Sequence, residues 1–85
     1  MKVVYKYPVS LSVKFSFQIP QYAEVLSVGM QNGSPQMWVL LDPDARGIIR
    51  TFSIFGTGCE ISHPNVEYVG TFQNGDLVWH LFELK

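Results

Sequence analysis

Few side chains in this sequence are of types that do chemistry. Cys59 stands four residues before His63, with Glu60 between them and His80 further on. A thiolate, imidazoles and a carboxylate are the donor types of a zinc site. Such sites are normally signalled by two closely spaced pairs of ligands, and only one pair is present. The expectation is no metal. The same residues could supply a nucleophile and a base, Cys59 with His63 or His80, but that chemistry also needs an orienting group and an oxyanion hole, for which no motif is present. Asp42, Asp44 and Asp76 fall in turn-forming sequence and Glu83 ends the last apolar run, so no carboxylate pair is set up for general acid and base work. The chain reads as a non-enzyme that needs no cofactor.

Recognition chemistry is better represented. The stretch Phe55-Gly56-Thr57-Gly58 leaves an apolar run through two glycines. Successive backbone amides in such a loop can cradle a phosphate. A GTG with no following helix is not a dinucleotide fingerprint, however, and a glycine pair leaving a strand is ordinarily a turn or bulge. Arg50 interrupts the run Ile49-Arg50-Thr51-Phe52 and, like Arg46, offers a planar fork to phosphate or carboxylate. Trp38, Trp79, Tyr68, Phe52 and Phe55 offer flat apolar surfaces, with core filling as the plainer role for any one of them. His80, inside VWHLF, is expected on a strand face with its ring hydrogen-bonded. The candidate ligand-binding set is Arg50, Phe55, Gly56, Thr57, Gly58, Trp38, Trp79 and His80. It suits a nucleotide, with a stack for the base and a clamp for the phosphate.

The elements that must position these groups are strands. Val13, Phe15, Phe17 and Ile19 alternate with Lys14, Ser16 and Gln18, the period of a strand with one buried face. Six more runs rich in β-branched and aromatic residues span Val3 to Tyr7, Glu24 to Gln31, Met37 to Leu41, Ile48 to Phe55, Val66 to Gln73 and Leu77 to Leu84. Around PQYAEVLSV one helical turn is the most that an early proline and the valines allow. Asn-Gly at 32–33 and again at 74–75 supplies the positive-φ residues of tight hairpins, so strands three and four should pair antiparallel, as should six and seven. Asp42-Pro43-Asp44 ends strand four. VGMQNGSPQMW and VGTFQNGDLVW share a likeness that would make Trp38 and Trp79 equivalent; similar hairpin demands explain it better than a repeat. The expected fold is all-β: a single domain over 1–85 of about seven strands, as a small antiparallel sheet, sandwich or barrel-like domain.

Composition bounds the partners. The chain is 47% hydrophobic and only 15% charged, against about 25% charged in typical domains. MWVLL and LVWHLF lose the alternation, which marks strands covered on both sides or faces given to another subunit. Both observations predict a homo-oligomer. A net charge of -1 and pI near 6.0 argue against nucleic acid and anionic membrane as partners, since both need a basic footprint. No run reaches the roughly 18 apolar residues of a spanning helix, and MKVVYKYPVS lacks a signal-peptide apolar region. The expected compartment is the cytoplasm, with which a lone cysteine, unable to form an internal disulfide, agrees.

RTFSIFGTGCEI and LVWHLFE, together with VYKYPV, AEVLSVGMQNG and YVGTFQ, resemble a family of small uncharacterised proteins encoded by phages and prophages. The likeness spans Val4 to Glu83, with LSVKFSFQIPQYAEV as a more apolar variant. The resemblance implies an accessory protein acting in the host cytoplasm. The expectation drawn from it is a sponge that binds and sequesters a small nucleotide signal of antiviral defence in a cleft of an oligomer. The alternative is a protein–protein interaction module that inhibits a host defence protein or serves as a minor phage component.

Overall fold

Alternating side chains build the strands, and interruptions in the alternation shape the molecule. The computed structural model describes residues 1–85. It contains β1 (Val3–Pro8), β2 (Lys14–Pro20), β3 (Glu24–Gln31), β4 (Ser34–Leu41), β5 (Gly47–Gly56), β6 (Val66–Asn74) and β7 (Leu77–Leu84). Every neighbouring pair is antiparallel, in a three-stranded sheet A of order β1-β4-β3 and a four-stranded sheet B of order β2-β5-β7-β6. The fold is therefore all-β, two open sheets and no closed barrel. No helix is long and apolar enough to cross a membrane.

Turn chemistry accounts for the connections. Asn32 and Gly33 both take positive φ, 51° and 81°, and close a two-residue hairpin between Gln31 and Ser34. In the second hairpin Asn74 is itself the last strand residue, paired with Leu77, and only Gly75 is left-handed (φ 62°). The two turns thus differ in kind, one with two positive-φ residues and one with a glycine at the first central position. Trp38 and Trp79 are consequently not equivalent. In place of a helical turn after β2, Ala23 N donates to Pro20 O at 3.2 Å, a β-turn with Tyr22 in the left-handed region at φ 68°. Strand β4 begins three residues earlier than its apolar run, because Pro35 needs only its carbonyl there, accepting from Val9 N at 3.0 Å.

Strands β4 and β7, whose runs lose the alternation, lie in the interior of their sheets, and their outward residues, among them Trp38, His80 and Phe82, have no second layer over them. One core joins the sheets: Met37, Val39 and Leu41 of β4 meet Ile19, Phe52, Ile54, Phe72 and Leu81 of sheet B, with Val9 between. Strand β3 starts beside β5, where Arg50 Nη1 donates to Ala23 O at 2.6 Å. Its middle then reaches β6, where Val28 packs on Gly70, so β3 crosses sheet B obliquely. Both meeting strands carry a bulge, between Val25 and Ser27 and between Tyr68 and Gly70, which bends and twists edge strands.

Gly70 is what lets the two strands meet. A Cβ there would lie 2.7 Å from Val28 Cγ1, inside van der Waals contact. Gly70→Ala is expected to destabilise by about 1–3 kcal/mol, the usual cost of overpacking. At Gly29 a Cβ would meet Trp38 Cζ3 at an ordinary 3.7 Å, so Gly29→Ala should stay within about 1 kcal/mol of wild type. Urea denaturation of both variants checks this; equal stability would contradict the close approach.

Candidate functional site

Arg50 faces inward from β5, opposite Phe17 of β2. Its Nε and Nη2 each donate to Glu83 at 2.6 Å, a bidentate pair, while Nη1 holds Ala23 O. The side chains are only 14% and 5% exposed. Burial alone would raise the Glu83 carboxyl, but the hydrogen bond and charge of Arg50, with Lys85 behind them, hold it below its ordinary 4.5. The Glu83 hydrogen bond in turn raises Arg50 despite desolvation. Lys85 Nζ sits 3.5 Å from both Glu83 Oε1 and Glu67 Oε2. The guanidinium that the sequence offers to a ligand is thus engaged in tying β5 to β7 and to the start of β3.

The glycine loop is a turn. Cys59 N donates to Gly56 O at 3.0 Å, with Gly58 at φ 86° in the third position. Gly56 pairs with Trp79, and the position its Cβ would take lies 3.8 Å from Trp79 Cζ3 and 3.3 Å from Cys59 Sγ. The missing side chain therefore leaves room for both. Trp79 packs inward against the core. Trp38 faces outward from sheet A, in the same row as Lys6 and Ser27. It lies on the far side of the molecule from the glycine turn.

Phe55 and His80 pair with each other on the outward face of sheet B. There His80 Nε2 lies 2.7 Å from Thr57 Oγ1, and Nδ1 lies 2.9 Å from Thr71 Oγ1. Thr71 Oγ1 is in turn 2.6 Å from the Tyr68 hydroxyl. In a neutral imidazole one ring nitrogen donates and the other accepts. With each group donating to the next, the four form a directed chain: one end, Tyr68 or Thr57, keeps a free O–H, and the other end presents only an acceptor. Phe82 stands beside it, with its ring centroid 5.4 Å from Tyr68 and 5.8 Å from Phe55, both edge-on.

Of the eight predicted site residues, then, Phe55, Gly56, Thr57, Gly58 and His80 gather at one corner of sheet B. Trp79 lies beneath them, and Arg50 and Trp38 lie elsewhere. Tyr68, Thr71 and Phe82 complete the corner without belonging to the predicted set. Phe82 was signalled by the both-faces-apolar LVWHLF. Tyr68 and Thr71, three apart, belong on opposite faces of a regular strand. The bulge at Val69 turns both outward, Tyr68 opposite Phe82 and Thr71 opposite His80.

Along all four strands the outward positions of sheet B carry one charge, Lys14 on edge strand β2. Ile49 is 69% exposed there and Tyr68 58%. The face is a pleated surface with no cavity, and no three His, Cys, Asp or Glu side chains gather anywhere in the chain. These features define a small all-β domain of two antiparallel sheets, one with an almost uncharged, aromatic outer face. The chain belongs to the family described as "Domain of unknown function (DUF7352)", which matches residues 1–85. No curated protein and no solved structure matches it.

Proposed function

We propose that this domain is a non-catalytic binding module whose outward face of sheet B docks on a protein surface. The observation that carries the reading is the aromatic tiling of Phe55, Phe82 and Tyr68 around the His80 hydrogen-bond chain on an almost uncharged sheet face. A water-facing antiparallel sheet normally alternates apolar-in with polar-out residues. Protein interfaces, by contrast, enrich aromatics and deplete charge at their centres. Small-molecule sites are concave, whereas this face is flat. In the phage setting that the sequence likeness implies, the module acts in the cytoplasm of the host cell as an accessory protein.

The test is a photo-crosslinking amino acid placed at Tyr68, on the face, or at Trp38, on the opposite side. Protein adducts are expected from position 68 and not from 38. No adducts, or equal adducts from both positions, would sink the docking reading.

Sequestration of a nucleotide-type signal is the second reading, favoured by the gathering of Phe55, Thr57, Gly58 and His80 at one corner. Phosphate would there be met by hydroxyls, the imidazole and amides, without Arg50. Calorimetry with a panel of defence nucleotides decides between the two. Docking predicts no binding at millimolar concentration. Tighter binding that His80→Ala abolishes would favour sequestration.

A further inference from the structure

We infer that the protein docked on the outward face of sheet B is a second copy of this chain, related by a two-fold axis lying in the interface; this rests on the docking reading above. Charge is the first argument. The only charge on the face is Lys14 on an edge strand, so apposing two copies brings no like-charge penalty to its centre. A partner chosen by charge complementarity would need a charge pattern that this face lacks.

Size is the second argument. Four strands about 4.8 Å apart and about eight residues long, at about 3.3 Å each, present roughly 500 Å2 in projection. Two copies apposed over it would together bury on the order of 1,000 Å2, about the level that a biological interface must clear. Only 12 of the 85 residues are buried in the single chain, and so small a core gains most from burying a further apolar face.

Self-complementarity is the third. When each group of the Tyr68–Thr71–His80–Thr57 chain donates to the next in one sense, the chain has a donor at one end and an acceptor at the other. A two-fold axis perpendicular to it reverses the chain of the second copy. The Tyr68 end of each copy then faces the Thr57 end of the other, so a donor meets an acceptor twice, in the isologous manner of two-fold dimers.

Sedimentation of the purified full chain at micromolar concentrations tests this, with circular dichroism checking the fold. Wild type is expected as a dimer. Tyr68→Lys and Thr57→Glu, each burying unpaired charges, should weaken it at least about 100-fold. Mixed together, the two variants should regain dimers, because Lys of one copy then faces Glu of the other. Ile49→Lys is a second disrupting variant should Tyr68→Lys fail to fold. A monomeric wild type, a dimer indifferent to Tyr68→Lys and Ile49→Lys, or no recovery on mixing folded variants would overturn the inference. Position-68 adducts to a different protein would overturn it while leaving docking intact; no adducts at all would end both.

Discussion

Glu83→Ala is expected to lower the unfolding free energy by about 3–5 kcal/mol, the cost of stripping one partner from a buried ion pair. The residual charge is the reason. Arg50 is 14% exposed and would keep only Ala23 O of its three short hydrogen bonds. For a domain of this length the whole stability is roughly 4–13 kcal/mol, so the variant should unfold at far lower urea or not fold at all. Arg50→Ala should cost a similar amount by stranding Glu83. The double variant Arg50→Met with Glu83→Leu leaves no charge unpaired and should recover much of the loss. Singles and double alike near wild type in urea midpoint would contradict the account.

The same pair sets a pH dependence. The folded Glu83 carboxyl lies below its ordinary 4.5, so its stabilisation is fully present above that value. Acid protonates the unfolded chain first, and stability then falls as pH drops towards the lowered folded value. Urea midpoints between pH 7 and pH 3 should decline below about 4.5, and the decline should be shallower in the Arg50→Met, Glu83→Leu variant.

Phe52→Ala should cost about 3–5 kcal/mol, by lost transfer energy plus the cavity left behind. Phe52 is fully buried. Its ring stacks on Phe15 of β2 at 5.8 Å and 22°, and it shares the inner row with both Phe15 and Glu83. Its loss therefore loosens β2, β5 and β7 together. Phe52→Leu, which keeps most of the volume, should lose distinctly less. Urea denaturation at pH 7 measures both; an alanine variant within about 1 kcal/mol of wild type would mean that the core does not close around this ring.

Local signals were legible in the sequence and non-local ones were not. Alternation and β-branched runs delimited seven strands, because a side-chain period of two is a property of the strand itself. Asn32-Gly33 announced its hairpin for the same reason. The second hairpin shifted by one residue, since Gly75 alone meets its turn's conformational demand. Arg50 stood out as a charge in an apolar run, but its partner Glu83 lies 33 residues away, and only the β5–β7 pairing brings them together. Sheet order and the β3–β6 approach are similarly facts of tertiary packing. At the candidate site, Phe55 and His80 were identified from their own neighbourhood. Tyr68 was read only as one of several flat apolar surfaces, and Thr71 escaped because a bulge broke the strand parity that would have put the two side by side.

Docking on a protein surface requires that the outward face of sheet B be covered when the protein works. Radical footprinting of tyrosines in cells producing the chain tests it most directly, because two tyrosines provide the contrast. Tyr22, 87% exposed in the single chain, lies at the β2–β3 turn; Tyr68, 58% exposed, lies on the face. Tyr22 is expected to be modified freely while Tyr68 is strongly protected, with the protection lost in Ile49→Lys. Modification of both tyrosines in proportion to their exposure in the single chain would show a bare face and contradict it.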